Sequence, residues 1–211
     1  MCETAQLAAG MEVVMTGVRR ATWDDFATVA DVLASAFSED PLFVWMTGAT
    51  PSVESRIRPF FASIAKINLA KPDHEIFVSE PGDGAAIWFG IDRWKVSVGD
   101  LVRSTSGSIR TFRLRGPRAL RALLAMEKAH PREPHYYLEY LGTRSDRQGK
   151  GVGTKMMAPM LERCDTEGLP AYLESSQGAV PFYARHGFTS HGHIVFPAGC
   201  PPTLPMWREP R

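Results

Sequence analysis

Between residues 147 and 154 the chain reads Arg147-Gln148-Gly149-Lys150-Gly151-Val152-Gly153-Thr154, with glycines at alternate positions. Ahead of it, Tyr136 to Thr143 (YYLEYLGT) is aromatic and β-prone, a strand by propensity. Behind it, Val152, Met156, Met160 and Leu161 share one helical stripe. The glycines therefore sit where a strand turns into a helix, and the first N–H groups of a helix have no intrahelical partner and favour an anion. Glycine lets the main chain approach a ligand closely, and Lys150 adds a cation. A strand-to-helix corner also uses glycine for its own sake, but alternate glycines exceed that need. A pyrophosphate is the natural guest.

Three phosphate-binding patterns compete for this stretch. A nucleoside-triphosphate loop needs GxxxxGK[ST], which the spacing does not supply. A dinucleotide loop needs GxGxxG, and Gly149-x-Gly151-x-Gly153 is one residue short. Only about sixty residues follow, too few for a whole dinucleotide domain. The third pattern fits: Gln148-x-x-Gly151-x-Gly153 is similar to the Q/R-x-x-G-x-G/A signature of the GNAT superfamily of acetyl-CoA-dependent N-acetyltransferases. Leu141-Gly142-Thr143 resembles the end of that family's fourth strand, and Val180-Pro181-Phe182-Tyr183-Ala184-Arg185-His186-Gly187-Phe188 resembles its FYxxxGF segment. Val18-Arg19-Arg20-Ala21-Thr22-x-x-Asp25 looks like its opening strand and helix cap. More narrowly, Glu133-Pro134, Gln148 to Gly151, Gly168-Leu169-Pro170-Ala171, Leu173-Glu174 and Phe182-Tyr183 resemble the puromycin N-acetyltransferases and their relatives.

The rest of the chain reads as mixed α/β. A β segment from Val13 to Arg20 precedes a helix capped by Thr22 and running to about Phe37, and Pro51-Ser52 opens a second helix. Strands at Ile76–Ser79 and Ala85–Ile91 flank the turn Pro81-Gly82-Asp83-Gly84. A helical stretch from Val96 to Ala129 is expected to be cut at Gly107 and at Gly116-Pro117. Gly168-Leu169-Pro170 stops the helix after the glycine loop, Ala171 to Ser176 is a strand, and a short helix near Val180 to His186 precedes two closing β segments. A β–loop–helix–β order near the C-terminal third predicts a parallel strand pair. The resemblance implies a GNAT fold, a mixed splayed sheet flanked by helices. It reads as one domain over residues 1–211, with residues 1–12 a mobile tail and residues 96–129 a helical insertion on the substrate side.

Composition narrows the functional classes. Across 211 residues, 44% are hydrophobic and 22% charged, with a net charge of +1, the balance of a globular chain without whole-molecule attraction for nucleic acid or an acidic membrane. There is no secretory signal pattern and no membrane-length apolar run. Cys2, Cys164 and Cys200 form no CxxC pair. A cytoplasmic protein without disulfides is expected, and a homodimer stays open. His130, His135, His186, His191 and His193 show no metal-ligand spacing, so no metal is expected. Arg103, Arg110, Arg113, Arg115, Arg118 and Arg121, with no acid from Leu101 to Met126, read as a solvated helix face.

The resemblance assigns roles residue by residue. Acetyl-CoA is the cosubstrate, its pantetheine arm pairing with Leu141, Gly142 and Thr143. Its diphosphate rests on Arg147, Gln148, Gly149, Lys150, Gly151, Val152, Gly153 and Thr154. Tyr183 matches the tyrosine that protonates the departing thiolate, and its alternative is a packed tyrosine. Glu139 is placed by alternation on one strand face with Tyr137 and Leu141. It reads equally as general base, ammonium anchor or bystander, since the puromycin enzymes carry no glutamate there. Glu174 either orients substrate or braces the sheet. Phe37, Trp45, Phe60, Trp88 and Tyr137 are mostly core, with Trp45 and Trp88 first to line an amine pocket. The activity implied is direct acetyl transfer to a primary amine of a small molecule, of antibiotic or metabolite type. A protein or peptide acetyltransferase and a non-catalytic acyl-CoA-binding module are the alternatives.

Overall fold

Residues 17–48, 52–95 and 98–211 are described in the structure, a computed structural model. The expected tail over residues 1–12, the start of the first β segment and the Pro51 and Val96 boundaries lie outside them. Strand β1 (Val18–Arg20) leads into a 3-10 turn over Trp23–Asp25. The Thr22 N–H donates to Asp25 at 2.7 Å, closing the expected cap. Arg19 grips the same carboxylate through two nitrogens, each at 2.7 Å, and those bonds hold the Asp25 carboxyl well below the usual range.

Helix α1 (Phe26–Ala36) is followed by α2 (Pro41–Thr47) and α3 (Val53–Leu69). Sequence periodicity misses α2 because it is short, yet its start signal is complete. Asp40 accepts from the N–H groups of Leu42 and Phe43 at 2.9 and 3.1 Å, and Pro41 occupies the first turn. Strands β2 (His74–Ser79) and β3 (Gly84–Phe89) form the expected hairpin. Next come α4 (Val98–Phe112), α5 (Gly116–Ala129), β4 (Tyr136–Thr143), α6 (Val152–Glu167), β5 (Ala171–Ser176), α7 (Val180–Arg185), β6 (Thr189–Ser190) and β7 (Thr203–Arg208). Among the described residues no helix is long and apolar enough to cross a membrane.

Gly107 does not break the helix as the sequence suggests; α4 runs straight through it. A Cβ there would lie 2.7 Å from the Pro59 carbonyl oxygen and against the Ser63 hydroxyl of α3. Glycine is present because the two helices touch. Gly107→Ala should therefore destabilise the fold by about 1–3 kcal/mol, the usual cost of overpacking, read as a lower urea midpoint; an unchanged midpoint would show the helices free to part. The break comes at the other expected place: a 3-10 turn over Arg113–Arg115, with Arg113 at φ 49°, leads to Gly116-Pro117, where α5 opens. Arg103, Arg110, Arg113, Arg115, Arg118 and Arg121 are all exposed, and Arg118 lies 5.4 Å over the Trp45 ring.

The sheet order is β1-β2-β3-β4-β5-β7-β6. Among the described residues only β4 and β5 run parallel, as expected, and their pairing covers just Tyr136–Leu138 against Ala171–Leu173. β3 continues along β4 to Thr143, and β7 along β5 to Ser176. From Glu139 onward, then, β4 and β5 part, and each keeps one edge without a strand. A register slip puts Ile87 opposite Tyr140 and Trp88 opposite Leu138, so Glu139 is the extra residue of a β-bulge.

The bulge resets which residue faces which side. Tyr137 and Tyr140 both join the core beneath α1 and α3, with Leu33, Ile57, Phe61 and Ile87. Leu138 and Leu141 join the other core, with Met156, Met160 and Trp88 under α6. The expected common face of Tyr137, Glu139 and Leu141 is therefore not formed. Gly142 lets α1 close onto β4, since a Cβ there would come 2.7 Å from that of Ala36.

Candidate active site

Two features meet at the end of β4, the glycine loop and the parting of the strands. Gly149 and Gly151 hold φ of 77° and 78°, the left-handed region that glycine enters freely, and Gly151 is the N-cap of α6. An added Cβ at either would meet nothing within 4 Å, so the space above the loop is open. No main-chain N–H from Gln148 to Thr154 has a hydrogen-bond partner among the described residues. Arg147, Lys150 and Thr154 are exposed beside them. The loop is tied down from below: the Ser145 N–H donates to the Ser35 hydroxyl of α1 at 3.3 Å. This set of donors fits a diphosphate.

The remaining members of the motif do different work. A Cβ on Gly153 would lie 3.1 Å from the Phe182 ring, so this glycine admits α7 against α6. The Val152 side chain packs over Gly84 of β3, leaving only its N–H to the loop. Leu141, Gly142 and Thr143 lie on the unpaired edge of β4, with main-chain groups available to a ligand that pairs as a strand.

Glu139 and Glu174 are the first residues past the last paired couple, Leu138 and Leu173. They come from different strands and interact through charge. Oε2 of Glu139 and Oε1 of Glu174 are fully buried and have no hydrogen-bond partner among the described residues. Burial, only partly offset by Lys71, pushes the Glu139 carboxyl up to about 8. The Tyr137 hydroxyl donates to Oε2 of Glu174 at 2.6 Å. His130 Nδ1 lies 3.6 Å from Oε1 of the same carboxylate. Sequence reading passes over His130 and His135 because it tests histidines for metal spacing only. Among the described residues no group of three or more His, Cys, Asp or Glu is arranged to hold a metal ion.

The aromatic candidates separate. Tyr137 lies beside Glu174, edge-on to His130 at 4.8 Å. Trp45 of α2 is half-buried beneath Arg118, with its indole nitrogen facing Gly199. Trp88 is fully buried on the α6 side of the sheet, away from Tyr137 and Glu174, and so does not line a pocket with them. Phe37 and Phe60 pack into the α1–α3 core. Tyr183, on α7, touches Phe182 edge-on at 5.1 Å and Phe188 at 6.0 Å. Its hydroxyl makes no hydrogen bond among the described residues, and burial pushes the phenol up. Cys164 is buried, which pushes its thiol up to about 12, and burial also raises Cys200. Neither is a ready thiolate.

A strand-to-helix glycine loop stands beside a sheet that opens between two parallel strands, which is the arrangement the motif resemblance implies. The family model described as Acetyltransferase (GNAT) family matches residues 99–188. An uncharacterized N-acetyltransferase of Schizosaccharomyces pombe is 30% identical over 189 residues, 81% of this chain and 73% of that one. The chain belongs to the GNAT family and is an acetyltransferase. The crystal structure of a Corynebacterium glutamicum protein, called histone acetyltransferase HPA2 and related acetyltransferase, superposes with TM-score 0.65 at 26% identity, covering 92% of this chain and 96% of that one. The PaiA N-acetyltransferase of Thermoplasma acidophilum, solved in complex with coenzyme A, shares the fold with TM-score 0.53 at 11% identity, covering 91% and 97%.

Proposed function

We infer that the chain moves an acetyl group from acetyl-CoA directly to a primary amine of a small cationic molecule. The observation that carries this reading is the pair of enclosed carboxylates, Glu139 and Glu174, where the strands part. Burial first, and the Glu174 charge after it, favour the protonated form of Glu139, and an ammonium ion is the guest that relieves that carboxylate. Tyr137, Tyr140, Trp94 and Trp45 supply aromatic surface on the same side of the sheet. A phosphorylated or carboxylate-bearing amine would meet repulsion there.

In this reading the amides from Gln148 to Thr154 hold the diphosphate, with Arg147 and Lys150 adding charge. The edge from Leu141 to Thr143 pairs with the pantetheine arm. A main-chain amide near Leu141 supports the oxyanion as the amine attacks the thioester. Glu139 takes a proton from the ammonium, and Tyr183 protonates the departing sulfur. With both described cysteines pushed away from the thiolate form, transfer in a ternary complex is favoured over an acetyl-cysteine step. Helices α4 and α5 form the outer wall of the amine side. The puromycin-type motifs favour an aminonucleoside or another antibiotic-like amine; the name of the C. glutamicum neighbour favours a histone.

Acetyl-CoA turnover across aminonucleosides, arylalkylamines, polyamines, amino acids and histone-tail peptides separates these. Turnover confined to peptides would overturn the small-molecule reading. The carboxylate is the working form of Glu139, so kcat/KM for the amine should rise with pH through about 8 and level off above it. Glu139→Gln should lower kcat about 10²-fold and remove that rise. A rise that survives the substitution would remove Glu139 from the role of base.

A further inference from the structure

On the α1–α3 side of the sheet lies a line of polar groups that neither the glycine loop nor Glu139 explains. His130, in the turn after α5, faces Glu174 across 3.6 Å, and the two side chains are only 3% and 2% exposed. The other nitrogen of His130, Nε2, lies 3.0 Å from Nε2 of His135. His135 in turn places Nδ1 2.6 Å from the Glu133 carbonyl oxygen.

Matching donors to acceptors fixes the hydrogens along this line. A carbonyl oxygen only accepts, so His135 carries hydrogen on Nδ1. Burial, the largest influence, disfavours the charged form of His135, so its Nε2 presents a lone pair. His130 must then donate from Nε2. That leaves His130 Nδ1 facing Oε1 of Glu174, a buried oxygen with no hydrogen-bond partner among the described residues. Without a proton between them, two lone pairs oppose each other in a dry site. One added proton converts that repulsion into a charge-assisted hydrogen bond.

The proton count of acetyl transfer leaves room for such an acceptor. An ammonium nitrogen gives up two protons as the C–N bond forms and the C–S bond breaks. The first leaves before attack, to Glu139. The second leaves after the C–N bond has formed. Tyr183 gives one proton to sulfur and later regains one, so a single proton reaches solvent per turnover. Resting on the amine-acetylation reading above, we propose that Glu174 receives the second proton and that His130, its tautomer fixed by His135, is the positioning residue that shares it on the Nδ1···Oε1 axis.

The groups that face this pair are few. Glu139 comes from β4 and Tyr137 donates to the other Glu174 oxygen. Tyr172, whose phenol is raised by burial first and by the facing Glu174 carboxylate next, comes from β5. Asp92 reaches His135 electrostatically, and Trp94 stacks on the His130 ring with centroids 4.0 Å apart. The stack holds the ring in place and sheds water from it.

The test uses the full chain with 15N-labelled histidine, titrated by NMR without either substrate, beside pH profiles of turnover. His135 should remain the Nδ1–H tautomer throughout. Glu174→Gln should move the 15N resonance of His130 Nδ1, because the oxygen that faces it at 3.6 Å loses its charge. His130→Phe, which keeps the stack on Trp94, should lower kcat about 10-fold or more and displace its pH dependence, with KM for acetyl-CoA unchanged. An identical His130 15N signature in wild type and Glu174→Gln overturns the pair, as does full turnover in His130→Phe. A folded wild-type protein that acetylates no amine overturns the amine reading itself, and the substrate-free titration tells that failure apart from failure of the pair.

Discussion

Gly151→Val should lower acetyl-CoA affinity by 10²-fold or more, below detection in an ordinary calorimetric titration, while thermal unfolding changes little. The reason lies in the backbone. Gly151 is the N-cap of α6 with φ 78°, and nothing stands within 4 Å of an added Cβ. Valine therefore clashes with no protein atom; it is disfavoured because a β-branched residue at positive φ costs about 1–3 kcal/mol. The loop escapes that strain by rotating its peptides, which turns the N–H groups of residues 148–154 away from a common point. Any valine that stays in place puts methyl groups into the open space where phosphate oxygens would come. Gly153→Val provides the contrast. It collides with the Phe182 ring, so it should lower the unfolding temperature by several degrees before it affects the loop. Normal coenzyme affinity in Gly151→Val would mean that the diphosphate rests elsewhere.

Tyr183→Phe should cut kcat about 10²-fold, the scale of one acid–base group, with little change in acetyl-CoA affinity. The substitution removes one oxygen and keeps the ring that packs on Phe182 and Phe188, so α7 should hold its place. Burial raises the phenol, which on its own makes it a reluctant donor to a thiolate. A thiolate expelled into the same apolar surroundings gains proton affinity as well, as the rise of the buried Cys164 thiol to about 12 illustrates within this protein. The two shifts compensate, and the transfer remains feasible. Turnover equal to wild type in Tyr183→Phe would leave Tyr183 as a packing residue.

The loop was legible in the sequence because its information is local: a β-prone run, alternating glycines and an amphipathic helix in direct succession. The parallel pairing of the strands on either side followed from chain order. The face of Glu139 was not legible, since the bulge that sets it arises from pairing with β3, fifty residues away in sequence. Trp88 misled for a related reason. An aromatic residue in a strand buried on both sides gives no hint of which helix layer it meets. α2 could have been found, because Asp40-Pro41 carries a cap and a first-turn proline. The His130–His135 contact depends on how the end of α5 swings back onto the start of β4. Nothing in the residue spacing announces that return.

The bare edge of β4 has a consequence for the protein as it is handled. On the side away from β3, the stretch from Glu139 to Thr143 has no neighbouring strand, and tyrosine and leucine flank it. Such a rim attracts any extended chain, another copy's included. Coenzyme lying along it would act as a sealing strip, so stocks kept without coenzyme should clump on storage sooner than stocks kept with it.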